Sequence, residues 1–296
     1  MQGRHIISPE IAYHLGEKFV SDLCEPDIEE VIFVENVVSK DGTVIAYQKS
    51  GKGAPLVLVH GTTVDHSYWD PILPELEAHF TVYAMDRRGR GISGDASGYE
   101  FSLEIEDVKA VIDKADQPVI LLGHSFGGTL SLEAAFGSKK VDQLVLYEPQ
   151  SINTIDGTRD FELKAMQEID QLLEKGDKKE EALVVFLEQM VEMSKEEVDY
   201  ARSTPYWQVM VSTASTLPRE INALWDYKFD PSRFRELSVP TLLLAGDESP
   251  QLFKEDVKII NDAMQNAEIM VLEGHAHDAV MTAPELFTAK VLEFLL

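Results

Sequence analysis

The chain has 296 residues, 44% of them hydrophobic, which is enough to bury a large core and excludes a disordered chain. Its 26 Lys and Arg oppose 52 Asp and Glu, a formal net charge of -26. Such a surface repels nucleic-acid phosphates and anionic lipid headgroups, so neither partner is expected. The excess acid predicts high solubility, with adaptation to salt or a preference for neutral or cationic substrates as alternatives. The single cysteine, Cys24, allows no disulfide within the chain.

The first elements of the chain form an N-terminal extension over residues 1–29. Apolar residues at helical spacing over residues 8–23 predict a helix, with Ser8-Pro9 as its start. We expect this helix to pack on the rest of the chain or to contact a second copy in a homodimer. Charged residues interrupt every apolar stretch here, so neither a signal peptide nor a membrane span is predicted. A cytoplasmic protein is the expectation.

Two strands and a regular alternation follow. Residues 31–39 and 43–49 flank Asp41-Gly42, a strong hairpin signal. Apolar runs then alternate with helical patterns, as is typical of a doubly wound α/β fold with a mostly parallel sheet. The predicted strands are 55–60, 80–86, 119–123 and 141–147, and the predicted helices lie near 67–79, 102–115 and 126–138.

A block without convincing strands interrupts this alternation at residues 150–232. Its pattern is charged and helical, which predicts a cap, or lid, inserted over a site. The alternation resumes with a strand at 239–245, a helix near 251–265, a strand at 268–272 and a last helix at 283–296. We therefore expect a core of residues 30–149 and 233–296 that carries an all-helical cap.

Residues 119–128 carry the strongest chemical signal. They read as an apolar strand, then the pattern Gly-x-Ser-x-Gly, then the start of a helix. The sharp turn between strand and helix needs the small flanking residues Gly123 and Gly127, and it pushes the hydroxyl of Ser125 out of the sheet. The turn also places Ser125 at a helix N-terminus, where the dipole favours developing negative charge. Ser125 is the predicted nucleophile.

On these residues the chain resembles the α/β-hydrolase family. Three further segments strengthen the resemblance. Residues 55–62 are similar to the strand and His-Gly turn of the family's oxyanion loop, residues 86–94 to its D-x-R-G-x-G-x-S segment, and residues 274–277 to its C-terminal histidine loop. The likeness covers roughly residues 30–149 and 235–296, and it implies the α/β-hydrolase fold.

The resemblance also implies the oxyanion hole and the general base. One oxyanion donor is the amide that follows the nucleophile, here Phe126. The second is Thr62, with Thr63 as the alternative one residue along. The base is His277, in the loop after the last strand, and His275 is the rival register. We expect His124 to be a packing residue and His60 to brace the oxyanion loop.

The acid of the triad has three candidates. Many relatives carry it three residues after a glycine that ends the strand at 239–245, but Gly246 plus three is Ser249, which cannot serve. Glu148 directly follows the strand at 141–147, where haloalkane dehalogenases and other branches of the fold place their acid. Glu148 is our first choice. Glu248 and Asp247 are the alternatives.

The predicted activity is cofactor-free hydrolysis of a small to medium apolar carboxylic ester. Thioesterase, lactonase, carbon–carbon bond hydrolase, perhydrolase and non-catalytic receptor functions stay open, because the fold does not determine the substrate. No Cys/His spacing indicates a metal site. Trp207 and Met210 of the cap are candidate substrate contacts, although packing within the cap is an alternative for them. The basic residues Arg87, Arg88 and Arg90 predict ion pairs that hold their turn, rather than a phosphate or carboxylate site.

Overall fold

The computed structural model describes residues 33–150 and 159–296. The helix predicted at 8–23 and the rest of the 1–29 extension lie outside these ranges. The described chain forms one eight-stranded sheet in the order β1-β2-β4-β3-β5-β6-β7-β8. The strands are β1 (Phe33–Val38), β2 (Val44–Gly51), β3 (Ala54–Val59), β4 (Phe80–Met85), β5 (Val119–His124), β6 (Val141–Tyr147), β7 (Thr241–Gly246) and β8 (Ala267–Leu272).

The sheet is mostly parallel, as the alternating apolar runs predict. β1 and β2 form an antiparallel hairpin, and β2 pairs antiparallel with β4. From β4 through β8 every pairing is parallel. β5 lies between β3 and β6, so the residues that follow these three strands meet at one edge of the sheet. The predicted doubly wound α/β fold is confirmed.

Helices cover both faces of this sheet. The flanking helices are α1 (Leu73–Glu77), α2 (Phe101–Lys114), α3 (Phe126–Phe136), α9 (Gln251–Ala263), α10 (Ala279–Thr282) and α11 (Pro284–Leu295). One buried cluster packs α2, α3 and α9 on the sheet, and a second packs α1 and α11 on the opposite face. Fully buried strands such as β5 are apolar on both sides for this reason.

Between β6 and β7 the described residues form five further α-helices. They are α4 (Arg159–Glu174), α5 (Lys179–Gln189), α6 (Lys195–Ser203), α7 (Tyr206–Thr213) and α8 (Leu217–Asp226). Their apolar faces form a third buried cluster, which also takes in Phe253 from α9. The regular elements of residues 159–236 are thus helical. Among all the helices described, none is both long and apolar enough to cross a lipid bilayer.

The helix predicted near 67–79 is wrong in its extent. The chain forms a short 3-10 turn, His66–Trp69, and then the separate five-residue helix α1. Pro71 lies between them, and proline has no amide hydrogen to donate into a continuing helix. Pro74 is tolerated because it stands in the first turn of α1, where that hydrogen has no helical acceptor.

Buried ion pairs hold the turn that follows β4. Arg87 donates two hydrogen bonds to Glu104, at 2.7 and 2.8 Å. Arg88 pairs in the same manner with Asp107, at 2.7 and 2.8 Å. Arg90 pairs with Glu220 of α8 and so joins the core to the cap helices. These guanidinium groups occupy ion pairs, as the sequence analysis predicted.

Candidate active site

The turn around Ser125 has the geometry of a sharp strand-to-helix elbow. β5 ends at His124 and α3 begins at Phe126, so Ser125 alone makes the turn, with φ 54° and ψ -124°. This backbone conformation is strained for a residue with a side chain, and it requires close packing around it. A Cβ atom on Gly127 would collide with backbone oxygens of β3 and His60, and one on Gly123 would collide with Ser131. Both glycines are therefore required for the turn.

A buried carboxylate lies directly after the neighbouring strand. Glu148 follows β6, has a φ of 42° and is 0% exposed. Its Oε2 atom accepts a hydrogen bond of 2.5 Å from Nδ1 of His277. Its Oε1 atom accepts from the Ser249 hydroxyl at 2.5 Å and from the Gly246 amide at 2.8 Å. These three donors compensate the carboxylate for its removal from water.

The two alternative carboxylates lie elsewhere. Asp247 is exposed and accepts a hydrogen bond of 2.6 Å from the Gly274 amide, which holds the turn before the histidine loop. Glu248 is also exposed, and its backbone amide donates to the His275 carbonyl at 3.1 Å. Of the three candidates, the structure brings Glu148 to the imidazole of His277. Ser249, three residues after Gly246, donates its hydroxyl hydrogen to Glu148.

The imidazole of His277 is held on several sides. The ring of Phe253 stacks on it, with centroids 4.1 Å apart and planes 15° apart. The backbone carbonyl of His277 accepts a hydrogen bond from Nε2 of His124 at 3.0 Å. The hydroxyl of Tyr147 brackets its loop, since it donates to the Ala276 carbonyl and accepts from the Ala279 amide at 2.9 Å. The imidazole therefore has a defined position and a defined Nδ1 partner.

His124 and His60 are buried, neutral supports. Burial lowers the pKa of both imidazoles well below the ordinary value of 6.5. The His124 ring stacks between Tyr68 and Tyr147, with centroids 4.9 and 4.8 Å away. Nε2 of His60 accepts from the Arg87 amide at 3.1 Å, so Nδ1 carries the proton that it donates to the Gly61 carbonyl at 2.9 Å. His60 thereby links the loop after β3 to the turn after β4.

The predicted oxyanion loop lies beside the serine. Thr62 and Thr63 follow β3, and both line the same cavity as Ser125. Thr63 has a φ of 62°, and its hydroxyl donates to the Thr62 carbonyl at 2.7 Å. Arg87 donates to the Gly61 carbonyl at 2.9 Å and lies 4.1 Å from the ring centroid of Phe126. One guanidinium group thus braces both segments that carry the predicted oxyanion donors.

A cavity of about 550 Å³ separates this edge of the sheet from the helices between β6 and β7. Ser125 and His277 both line it, and Met210 lines it from α7. The structure does not place Trp207 on its wall. The indole of Trp207 packs in the core of the cap helices instead, because its N–H finds an acceptor in Glu180 at 3.1 Å and Arg202 covers its face. Sequence reasoning missed Tyr68, a cavity residue with no motif around it.

One group of metal-ligand type occurs in the part of the chain that the structure describes. Asp65, His66 and Asp86 bring three donor atoms within 4.8 Å of one another. These atoms take part in hydrogen bonds that hold the loop after β3. Nδ1 of His66 lies 2.7 Å from Asp86, and Asp65 accepts from Ser67 at 2.5 Å. The group therefore has a structural use in the protein as it stands.

Known proteins similar to this chain share its fold. The profile of the alpha/beta hydrolase family matches residues 56–290. A putative carbamate hydrolase from Agrobacterium fabrum is 26% identical over 250 residues, which cover 82% of this chain and 94% of that protein. An alpha/beta hydrolase structure from Sphaerobacter thermophilus is 32% identical, with a TM-score of 0.77, covering 88% of this chain and all of the other. An esterase structure from Rhodococcus is 26% identical, with a TM-score of 0.72, and the match covers 88% of this chain and 98% of the esterase.

The family profile spans most of the chain, from β3 into α11. The chain belongs to the alpha/beta hydrolase family.

Proposed function

We propose that this protein hydrolyses carboxylic esters, with Ser125 as nucleophile, His277 as general base and Glu148 as the acid that orients the base. The observation that carries the proposal is the hydrogen bond of 2.5 Å between Nδ1 of His277 and the buried carboxylate of Glu148. It leaves Nε2 of that imidazole as the nitrogen that can take a proton, in a cavity that Ser125 also lines.

The acylation step follows from these positions. Nε2 of His277 takes the proton of the Ser125 hydroxyl as Oγ attacks the ester carbonyl carbon. The imidazolium that forms is stabilised by the carboxylate of Glu148. The carbonyl oxygen becomes an oxyanion, and the backbone amides of Phe126 and Thr62 hold it, each contributing about 3 kcal/mol to the lowering of the barrier. The proton then passes from Nε2 to the leaving alcohol, and an acyl-serine remains.

Deacylation repeats the sequence with water. His277 takes a proton from a water molecule, whose oxygen attacks the acyl carbon. The tetrahedral intermediate then collapses, the carboxylic acid leaves, and the proton returns to Ser125. Every proton transfer uses the same imidazole nitrogen, so the proposed reaction needs no cofactor.

The cavity favours a small to medium ester. Its volume of about 550 Å³ is typical of sites for small molecules. Met210, Leu224 and Met281 give its wall apolar surface. Relatives described as esterases agree with this proposal: a pimeloyl-[acyl-carrier protein] methyl ester esterase from Aliivibrio fischeri is 33% identical, though over only 104 residues and 35% of this chain.

Hydrolysis of 4-nitrophenyl esters of graded acyl length tests the proposal. We expect turnover by the parent and a loss of about a thousand-fold or more in kcat for Ser125→Ala, because the acyl-enzyme route then lacks its nucleophile. The chain-length profile measures the acyl pocket. A Ser125→Ala variant that keeps the parent rate would overturn the assignment of the nucleophile.

A second measurement is needed if the parent protein hydrolyses none of these esters. A fluorophosphonate probe followed by peptide mass analysis asks whether Ser125 is reactive at all. Modification of Ser125 would move the proposal to the thioesterase, lactonase, carbon–carbon bond hydrolase or perhydrolase alternatives, which use the same site. An unmodified Ser125 would favour the non-catalytic receptor.

A further inference from the structure

The ionisable side chains on the described wall of the active-site cavity are mainly acidic. Among the described residues that line it, seven are Asp or Glu and none is Lys or Arg. The remaining ionisable bases are histidines, of which His124 stays neutral because burial lowers its pKa. This imbalance exceeds what the whole chain shows, where acids outnumber bases two to one. A ligand in this cavity therefore meets carboxyl groups without a lysine or arginine in the described lining.

Three of these carboxyl groups stand at the mouth of the cavity. Glu192 follows α5, Glu197 lies in the first turn of α6, and Glu248 follows β7. All three are exposed, so solvent reduces the field of their carboxyl groups. Charges of one sign around an opening attract ligands of the opposite sign and repel those of the same sign.

A fourth carboxyl group is buried in the wall. Glu220 of α8 is 0% exposed, and its Oε1 atom pairs with Arg90 and Arg87. Its Oε2 atom is also buried, and in the described part of the chain it accepts no hydrogen bond. Neither arginine reaches the cavity wall, whereas Glu220 does. A buried carboxylate oxygen without a donor is costly, so this part of the cavity wall favours a ligand that brings positive charge close to it.

The surroundings of these carboxyl groups also suit a cation. Tyr68, Tyr200, Tyr206 and Trp225 line the cavity. Aromatic faces attract ammonium groups, and the attraction grows where water is excluded. The aromatic lining thus provides a second, independent kind of interaction that favours a positive charge.

We propose that the substrate is an ester with a positively charged group, such as a substituted ammonium, and that the cavity discriminates against esters with a carboxylate or phosphate. The proposal rests on the ester hydrolysis proposed above, and it names the substrate class of that site. The acyl and alcohol halves are both candidates for the charged group, so the test varies each half separately.

A matched set of substrates tests the charge preference. The acyl series consists of 4-nitrophenyl esters whose chains have the same length and end in trimethylammonium, tert-butyl or carboxylate, the first two being close in shape. The alcohol series consists of acetate esters of alcohols with the same three ends. In at least one series we expect kcat/KM to fall about tenfold from cation to neutral and again from neutral to anion. Equal kcat/KM values within both series would overturn the proposal.

Charge-neutral variants locate the effect. In the double variant Glu192→Gln with Glu248→Gln we expect the ratio of cationic to neutral kcat/KM to fall about threefold or more. The matched control, Glu196→Gln with Glu236→Gln, removes the same charge from exposed positions that do not line the cavity. An equal fall in the control would assign the preference to the net charge of the whole molecule and would overturn the proposed role of the cavity.

Added salt gives an independent readout. Raising the salt concentration should lower kcat/KM for the cationic ester, raise it for the anionic ester and leave the neutral ester unchanged, because ions screen charges at the mouth.

The neutral esters also separate the two proposals. If they are hydrolysed through Ser125 without any charge order, this inference fails while the proposed function stands. If no ester is hydrolysed, the proposed function itself fails.

Discussion

At the scale of single residues, the candidate site depends on which carboxylate meets the imidazole. Glu148 is buried, accepts three hydrogen bonds and contacts His277, whereas Asp247 and Glu248 are exposed. A carboxylate that is buried with its donors in place has a single orientation. An exposed one samples many orientations and is screened by water, so it would orient the imidazole less well.

Replacing Glu148 tests its role. We expect Glu148→Gln to lower kcat by about a thousand-fold or more, because an amide neither stabilises the imidazolium nor secures the required tautomer. The measurement is steady-state hydrolysis of a neutral 4-nitrophenyl ester. Glu248→Gln and Asp247→Asn should each lower kcat by less than tenfold. A larger loss in either of them than in Glu148→Gln would assign the acid to that residue.

At the scale of elements, β6 contributes twice to the candidate site. Its last residue, Tyr147, holds the loop from Ala276 to Ala279 through its hydroxyl, and the next residue is Glu148. One strand end therefore positions both the histidine loop and the carboxylate that the histidine contacts. Their relative placement depends on the register between β5, β6 and β7, which parallel pairing holds across the sheet.

Removal of the Tyr147 hydroxyl tests this arrangement. We expect Tyr147→Phe to lower kcat about tenfold with little change in KM, because the histidine loop loses two hydrogen bonds while the cavity keeps its shape. The control is Tyr47→Phe in β2, whose hydroxyl donates to Glu35 at 2.8 Å, away from the cavity. The control should keep the parent kcat. An equal loss of kcat in both variants, or a rise in KM alone for Tyr147→Phe, would contradict the positioning role.

At the scale of the whole molecule, buried histidines make stability depend on pH. His60 and His124 are neutral in the folded protein, because burial holds their pKa well below 6.5. In the unfolded chain both take up protons near that pH. The unfolded state therefore binds more protons, and the free energy of unfolding falls as the pH drops below 6.5. The slope is at most about 1.4 kcal/mol per pH unit for each histidine.

Urea unfolding at several pH values measures this slope. We expect His124→Phe to give a shallower fall in the free energy of unfolding between pH 6.5 and pH 5, because phenylalanine keeps a stacked ring but takes up no proton. The slope of the free energy of unfolding against pH is compared, because any loss of stability that does not depend on pH leaves this slope unchanged. His79→Gln, which replaces a half-exposed surface histidine, should keep the parent slope. If His124→Phe keeps the slope of the parent, proton uptake by His124 does not contribute to the pH dependence of stability.

Much of the fold was predictable from local patterns. The apolar strands and amphipathic helices alternate at periods that backbone geometry imposes, and the confirmed α/β-hydrolase fold follows from that order together with the serine elbow. The helix near 67–79 was predicted too long, since its apolar period continues across Pro71 while the proline stops its hydrogen bonding. Met210 and Trp207 were equivalent as cap residues. Only packing separates them. The N–H of Trp207 has an acceptor among the cap helices, whereas Met210 lines the cavity.

The sequence by itself determined the order of the elements, the elbow at Ser125 and the two histidines that compete as base, because these depend on neighbours within a few residues. Only the tertiary structure decided which histidine and which carboxylate meet, since Glu148 and His277 are 129 residues apart. The charge of the cavity wall is likewise a tertiary property, because its carboxyl groups come from several helices and loops. Contacts between distant segments depend on strand register and helix packing, which local periodicity does not encode.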